Sequence, residues 1–309
     1  MAAFVMGNVR RGGILALTAA MLFGASTPAA KAIIAGVHPL MLAGLLYLGS
    51  GAGLTIIKLI DRQSGTRLAR ADLPWLLGTV LFGGILGPAL LMIGLTSTTG
   101  STASLLLTLE GVFTALLAWV VFREPFNQRI GFGMALIFAG AIFLSLNGPI
   151  GHARLLGAVE IGGACLSWAI DNNCTSKISH VEAPTLAAIK GVVAGIVNVS
   201  LAVVAGAHLP PPGAIGLSAL IGLLGYGVSL VLFVRALREI GAARVGAYFS
   251  TAPFIGAFVG LIVLREPLTA ALGVAGALMA IGVWLHLTEQ TDVEPAPGDA
   301  NALTTTELK

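Results

Sequence analysis

Ten apolar stretches, each about long enough to cross a bilayer, take up nearly the whole chain. A hydrocarbon core of about 30 Å needs roughly 20 consecutive, mostly apolar residues per helix. In the first half, Gly12–Ile34, Pro39–Ile60, Leu73–Leu95, Thr102–Phe122 and Phe126–Leu146 meet that length. In the second half, Leu155–Ser176, Thr185–Ala205, Ala214–Val234, Arg244–Leu264 and Leu268–Leu287 do so. The breaks between them are short and carry turn signals, such as His38-Pro39, Asn147-Gly148-Pro149 and Leu209-Pro210-Pro211-Pro212-Gly213.

Composition agrees with this division. Of 309 residues, 56% are apolar and 10% charged, and the 41 glycines are not in the apolar count. Soluble domains run at about 45–50% apolar with glycine included, and about 25% charged. So few charges cannot clothe a soluble enzyme, a nucleic-acid-binding protein or a disordered chain of this length. The chain reads as an all-α polytopic membrane protein of ten transmembrane helices, partnered by the lipid bilayer and by no nucleic acid. Cys165 and Cys174 share one apolar run. On one helix they stand about 13 Å apart, too far for a disulfide.

Lysine and arginine orient the bundle. With the N-terminus inside, 13 of the 17 fall in inner loops and tails, from Arg10 and Arg11 through Arg235 and Arg238 to Lys309. Only Arg154 and Arg265 fall outside, and Lys31 and Lys190 lie within spans. The expectation is a multi-pass inner or plasma membrane protein with both termini cytoplasmic. The first apolar stretch is longer than a signal-peptide core and is expected to remain as a helix. The last residues, 289–309, are acidic, aperiodic and Pro- and Thr-containing, and are expected to form a disordered tail.

A shift of 142 residues aligns Leu95–Phe143 with Leu237–Leu285 without a gap and matches ten positions. The specific part is Arg123-Glu124-Pro125 against Arg265-Glu266-Pro267 at the same helix junction. The domain plan is then a short N-terminal tail at 1–11, a five-helix repeat at 12–147, a second at 154–288 and the tail. Five is odd, so the second repeat enters the membrane from the opposite side. Inverted repeats of this kind are a design of secondary transporters, with substrate bound near the midplane between the halves.

The run from Leu105 to Trp119 (LLLTLEGVFTALLAW) followed by Arg123-Glu124-Pro125 resembles the first repeat of EamA-like members of the drug/metabolite transporter superfamily. So do Trp168–Lys177 (WAIDNNCTSK) and Ala252-Pro253-Phe254 with Arg265-Glu266-Pro267. The resemblance spans about residues 12–288. It implies ten helices with an internal duplication and the export or import of small metabolites. Many members carry a proline in the middle of the fourth helix, where this chain has Leu109-Glu110-Gly111; the ninth helix keeps Pro253.

Ionisable groups at membrane depth are costly unless they face a cavity or a partner, so each is a site candidate. Glu110 lies about 3 Å from the middle of its span, beyond any snorkelling route, with Thr114 one turn along the same face. Desolvation penalises a carboxylate there, which suits reversible protonation; the structural alternative is a permanently protonated, hydrogen-bonded side chain. Asp171 and Lys190 fall at about the same depth on antiparallel spans, so an ion pair is within reach. Ser167, Asp171 and Thr175 form an i, i+4, i+8 stripe with Asn172 and Asn173 beside it, and Lys190 and Asn198 repeat the spacing. Two facing polar stripes describe either a lined cavity or a clasp between helices. Lys31 lies about 12 Å outward of its span's middle, where it either joins the cavity or snorkels to the interface. Glu160, near a span end, is expected to be interfacial. Pro28 and Pro253 favour kinks, and the Gly83/Gly87 and Gly191/Gly195 pairs favour close helix contact. Trp119, Trp168, Tyr226 and Tyr248 line a pocket or pack and anchor.

An intramembrane enzyme and an oligomeric channel are the competing readings. His38, His152, His180, His208 and His286 sit in loops or at helix ends with no i, i+4 pair, and neither a Gly-x-Ser-x-Gly elbow nor a P-loop occurs. No metal or cofactor site is expected, and without a P-loop uphill transport draws on a gradient. A selective pore needs a filter loop or a ring of like charges, which one chain of this sequence does not display. The expectation is a secondary transporter of small polar metabolites working by alternating access, coupled to protons through Glu110. Asp171, Asn172, Lys190 and Asn198 orient the substrate, with Ser167, Asn173, Thr175, Thr114 and Lys31 as further lining.

Overall fold

The computed structural model describes residues 2–61, 68–123, 127–147 and 151–289. Glu124, Pro125 and the tail expected beyond residue 289 lie outside the described residues. Ten long helical units follow one another, and no strand occurs among the described residues. In the first repeat they are α1 (Ala2–Ile34), α2 (Pro39–Asp61), α3 (Arg70–Ser97), α4 (Gly100–Phe122) and α5 (Gln128–Leu146). In the second they are α6 (Gly151–Lys177), α7 (Ala183–Val204), α8 (Pro212–Ile240), α9 (Ala242–Phe249 with Ala252–Val263) and α10 (Ala270–Glu289). Helix α1 runs back to Ala2, ahead of the bilayer entry expected at Gly12, and α8 continues six residues past the expected Val234.

Nine of these units are long and apolar enough to span a bilayer. The tenth, α6, has 27 residues, roughly 40 Å of helix, and is the polar one because it carries Glu160, Asp171, Asn172 and Asn173. Outward-facing apolar side chains such as Ile60, Phe132, Val159, Val204 and Phe258 are exposed all round the bundle. In a water-soluble protein such a surface is a liability; in a bilayer it is the lipid contact.

The repeat is built into the backbone. Both third units contain a π-helical segment, Thr79–Leu86 in α3 and Leu223–Val228 in α8. Both fourth units are broken, α4 after Leu106 and α9 after Phe249. Both end on a left-handed arginine, Arg123 at φ 57° and Arg265 at φ 53°, 142 residues apart. A left-handed residue past the last turn is a common helix stop, and the X-Pro that follows cannot continue the helix. The α9 break has Pro253 to explain it, since proline withdraws one backbone donor. The α4 break has no proline; there the Thr108 hydroxyl donates to the Leu105 carbonyl at 2.8 Å.

Equivalent helices of the two repeats meet antiparallel. In the α5–α10 contact Gly133 faces the Gly282 backbone and Gly140 faces that of Ala275, so residue numbers run in opposite directions. In the α2–α7 contact Gly51 lies on Gly191 and Gly44 on Gly195, again with opposed numbering. Missing side chains let these backbones approach closely, the membrane counterpart of a packed core. Antiparallel pairing of equivalent helices is what an inverted repeat requires.

Burial is uneven along the bundle. The largest fully buried side chains include Met41, Leu42, Leu46, Leu91, Met92, Leu95, Leu106 and Ile161. Most lie toward the end where α1 finishes and α2 begins, here the far end. The near end, where α1 begins and α10 finishes, holds the cavities.

Candidate functional site

The polar side chains of α6 are distributed between two neighbours. Asp171, 5% exposed, receives Lys190 Nζ from α7 at 2.6 Å on Oδ2. Thr175 Oγ1 donates to its other oxygen at 3.2 Å. The carboxylate rests on Gly83 in the π-helical part of α3, where any side chain would displace it. The π segment loosens the regular ladder, and its carbonyls are taken up by side chains instead. Gly83 O accepts from Tyr47 Oη at 2.7 Å and from Trp168 Nε1 at 3.0 Å, and Gly84 O accepts from Asn198 Nδ2 at 3.1 Å. Asn198 is fully buried and its Oδ1 has no partner among the described residues.

Glu110 stands in the first turn after the α4 break. Asn172 Nδ2 donates to Glu110 Oε1 at 2.9 Å and to Thr114 Oγ1 at 3.3 Å. Asn173 Nδ2 reaches the Ala169 carbonyl at 2.9 Å and the Thr114 carbonyl at 3.4 Å. A carboxamide donates through nitrogen and accepts through oxygen. Asn172 is thus able to serve either protonation state of Glu110 by reversing its role, which a cationic partner cannot do.

Two neighbouring cavities open between the repeats. One of about 300 Å³ is lined by Glu110, Gly111, Gly246, Pro253 and His286, among others. The other, of about 240 Å³, is lined by Lys190, Tyr47, Ser50, Tyr226 and Ser229, among others. Phe23, Phe233 and Phe249 belong to both. These rings form a contiguous aromatic cluster: Phe233–Phe249 centroids are 5.0 Å apart, Phe23–Phe249 5.3 Å and Tyr47–Tyr226 5.6 Å. Gly246, near the start of α9, and His286, near the finish of α10, place the mouth at the near end.

Of the candidate side chains Glu110 and Lys190 line these cavities, while Asp171, Asn172, Asn173, Asn198, Thr114 and Thr175 stand behind the walls and Lys31 and Ser167 stand apart. Lys31, at the far end, donates from Nζ to the Leu95 carbonyl at 2.6 Å, capping the finish of α3. Ser167 donates to the Gly163 carbonyl of its own helix at 2.9 Å. Trp119 and Tyr248 are exposed. No group of three or more metal-ligating side chains occurs among the described residues. The lining residues Phe23, Tyr47, Phe233 and Phe249 give no warning in the sequence, because an aromatic within an apolar run reads as packing.

The comparisons with known proteins decide what this architecture is. A family model described as the EamA-like transporter family matches the chain twice, at residues 10–146 and 155–288. The chain belongs to this family. It is a family of transporters, not of enzymes, and the protein is a multi-pass membrane transporter with a duplicated EamA domain. An uncharacterized transporter of Methanothermobacter thermautotrophicus is 30% identical over 296 residues, covering 89% of this chain and 85% of its own. A probable amino-acid metabolite efflux pump of Escherichia coli is 28% identical over 190 residues, covering 57% and 58%. One solved crystal structure superposes with a TM-score of 0.66 at 18% identity, covering 89% of this chain and 97% of that one. That likeness speaks to the fold.

Proposed function

We propose that this EamA transporter moves small polar metabolites, amino-acid metabolites foremost, by alternating access coupled to protons. The observation that carries the reading is the cavity between the repeats. Glu110, whose carboxyl meets the amide of Asn172, lines one lobe, and Lys190, whose ammonium is paired with Asp171, lines the other, with three phenylalanines common to both walls. An α-amino acid derivative offers an amine for the first, a carboxylate for the second and an apolar body for the rings. The Escherichia coli relative, a probable amino-acid metabolite efflux pump, supports this substrate class. The Lys/Arg asymmetry supports a cytoplasmic near end, so the cavity faces inward and loading from the cytoplasm means export.

In this mechanism Glu110 binds a proton when the cavity faces one side and releases it when the cavity faces the other, with Asn172 turning its amide to suit. Asp171 keeps Lys190 in place, and Asn198 ties α7 to the π segment of α3. The test is Glu110→Gln in reconstituted vesicles given amino-acid metabolites with and without an imposed pH gradient. Gradient-driven accumulation and its pH dependence should be lost, while substrate-for-substrate exchange persists. Wild-type pH dependence in Glu110→Gln would show that the proton travels elsewhere or that transport is not proton-coupled.

A further inference from the structure

A second cavity class lies at the near end, away from the aromatic lobes. It is a groove of about 90 Å³ bounded by the finish of α2, the start of α7 and the finish of α8, lined by Lys58, Glu182, Arg235 and Arg238 over Ile57, Pro184, Val231 and Val234. Helix α8 supplies Val231, Val234, Arg235 and Arg238 at i, i+3, i+4 and i+7, a single helical face. Its other face is occupied: Phe233, Ala236 and Ile240 pack with Ala16 and Val245. The acidic residue of this helix end, Glu239, faces Arg11 at 3.5 Å. Arg235 and Arg238 have no carboxylate within ion-pair distance among the described residues, and Lys58 Nζ is held forward by the Thr185 hydroxyl.

Three cations and one carboxylate leave the groove positive. Its order along the bundle axis is equally telling. Helix α8 runs toward the near end, so Val231 and Val234 lie deeper than Arg235 and Arg238, and Ile56 on the adjoining α2 is exposed. Apolar below and cationic at the rim is the complement of a phospholipid with its acyl chain in the bilayer and its phosphate at the surface. A soluble anion has no use for the apolar floor. We propose that this groove binds the headgroup of an anionic phospholipid from the leaflet at the near end, clipping α8 to α2 and α7.

The test uses the full-length transporter in a neutral detergent, its thermal unfolding followed on adding phosphatidylglycerol, phosphatidylcholine or inorganic phosphate. Phosphatidylglycerol should raise the wild-type midpoint by at least about 2 °C over phosphatidylcholine, as expected for one ligand bound well below its working concentration. R235Q/R238Q should lose that difference, and R129Q, an exposed cation outside the groove, should keep it. If the double variant does not fold, R235Q and R238Q singly should each lose part of it. No phosphatidylglycerol effect, an effect that survives R235Q/R238Q, or one reproduced by inorganic phosphate alone would each overturn the proposal.

Discussion

The two broken helices, α4 and α9, share a backbone but not an environment. Every residue of the first piece of α4, Gly100–Leu106, is buried. Its opening amides are held by the carboxylate of Glu266, Gly100 N at 2.6 Å and Ser101 N at 2.8 Å. The first piece of α9, Ala242–Phe249, instead lends Gly246 and Phe249 to the cavity wall, and nothing packs over Gly246. Repeat symmetry alone would treat the two pieces alike. The far-end piece is buried and held by a carboxylate from the other repeat, whereas the near-end piece borders a cavity. The carboxylate clasp joins the second repeat's Arg-Glu-Pro turn to the first repeat's half-helix, at the end where Lys31 also caps α3.

The largest effect is expected beside the near-end cavity, at the Asp171–Lys190 pair. Removing one partner of a buried ion pair costs about 3–5 kcal/mol because the other charge is stranded. Asp171→Asn and Lys190→Met should each abolish most transport and lower the yield of folded protein. The double replacement should recover folding, since neither charge is then stranded. If Lys190 also meets substrate, folding returns and transport does not. A double variant that transports normally would reduce the pair to a clasp between helices, comparable with the one Glu266 makes at the far end.

Much of this molecule was legible in one dimension. Helix number and the duplication follow from run length and offset. Depth alone was enough to set Asp171 opposite Lys190, and their side chains meet. Rotation and neighbour choice were not legible, because a nearly all-apolar helix has no amphipathic stripe to show which way it faces. So the bridge from Asn172 to Glu110 across α6 and α4, and the share of Phe23 and Phe249 in the cavity, required the fold. The π segment of α3 was hidden for a further reason. Gly83 was visible as a small residue for packing, but its carbonyl serves Tyr47 and Trp168 only because the helix is widened there. The α4 break escaped notice because it lacks proline.

A middle-sized effect should come from Glu266→Gln, which attacks the comparison directly. The variant loses the charge and one acceptor oxygen of the clasp, and a hydrogen bond to a charged group contributes about 1.5–3 kcal/mol. Each 1.4 kcal/mol shifts an equilibrium about tenfold. In a Cys174→Ser background, a reporter cysteine at Thr98, 4% exposed at the far end, should react with a membrane-impermeant thiol reagent about tenfold faster once Glu266 is replaced. Cys165, fully buried, should stay silent. An unchanged rate would mean that the far end is shut by its packed core alone.

The smallest effect lies at the two junctions where the repeats should behave alike. Arg123 and Arg265 both occupy the left-handed region, and both side chains are exposed. A side chain there costs roughly 1–2 kcal/mol relative to the right-handed region, a penalty glycine does not bear. Glycine also loosens the unfolded chain, which cancels about 0.4–1 kcal/mol of the gain. Arg123→Gly and Arg265→Gly should thus each raise stability by up to about 1 kcal/mol, a midpoint rise of about 2–4 °C. Arg123→Ala and Arg265→Ala keep the strained backbone and should give no such rise. Equal gains at both positions would place the repeat's symmetry in its helix stops, leaving the clasp and the cavity as the places where the halves differ. A gain at one junction and a loss at the other would show that the arginine side chains, not only their backbones, have diverged between the near and far ends.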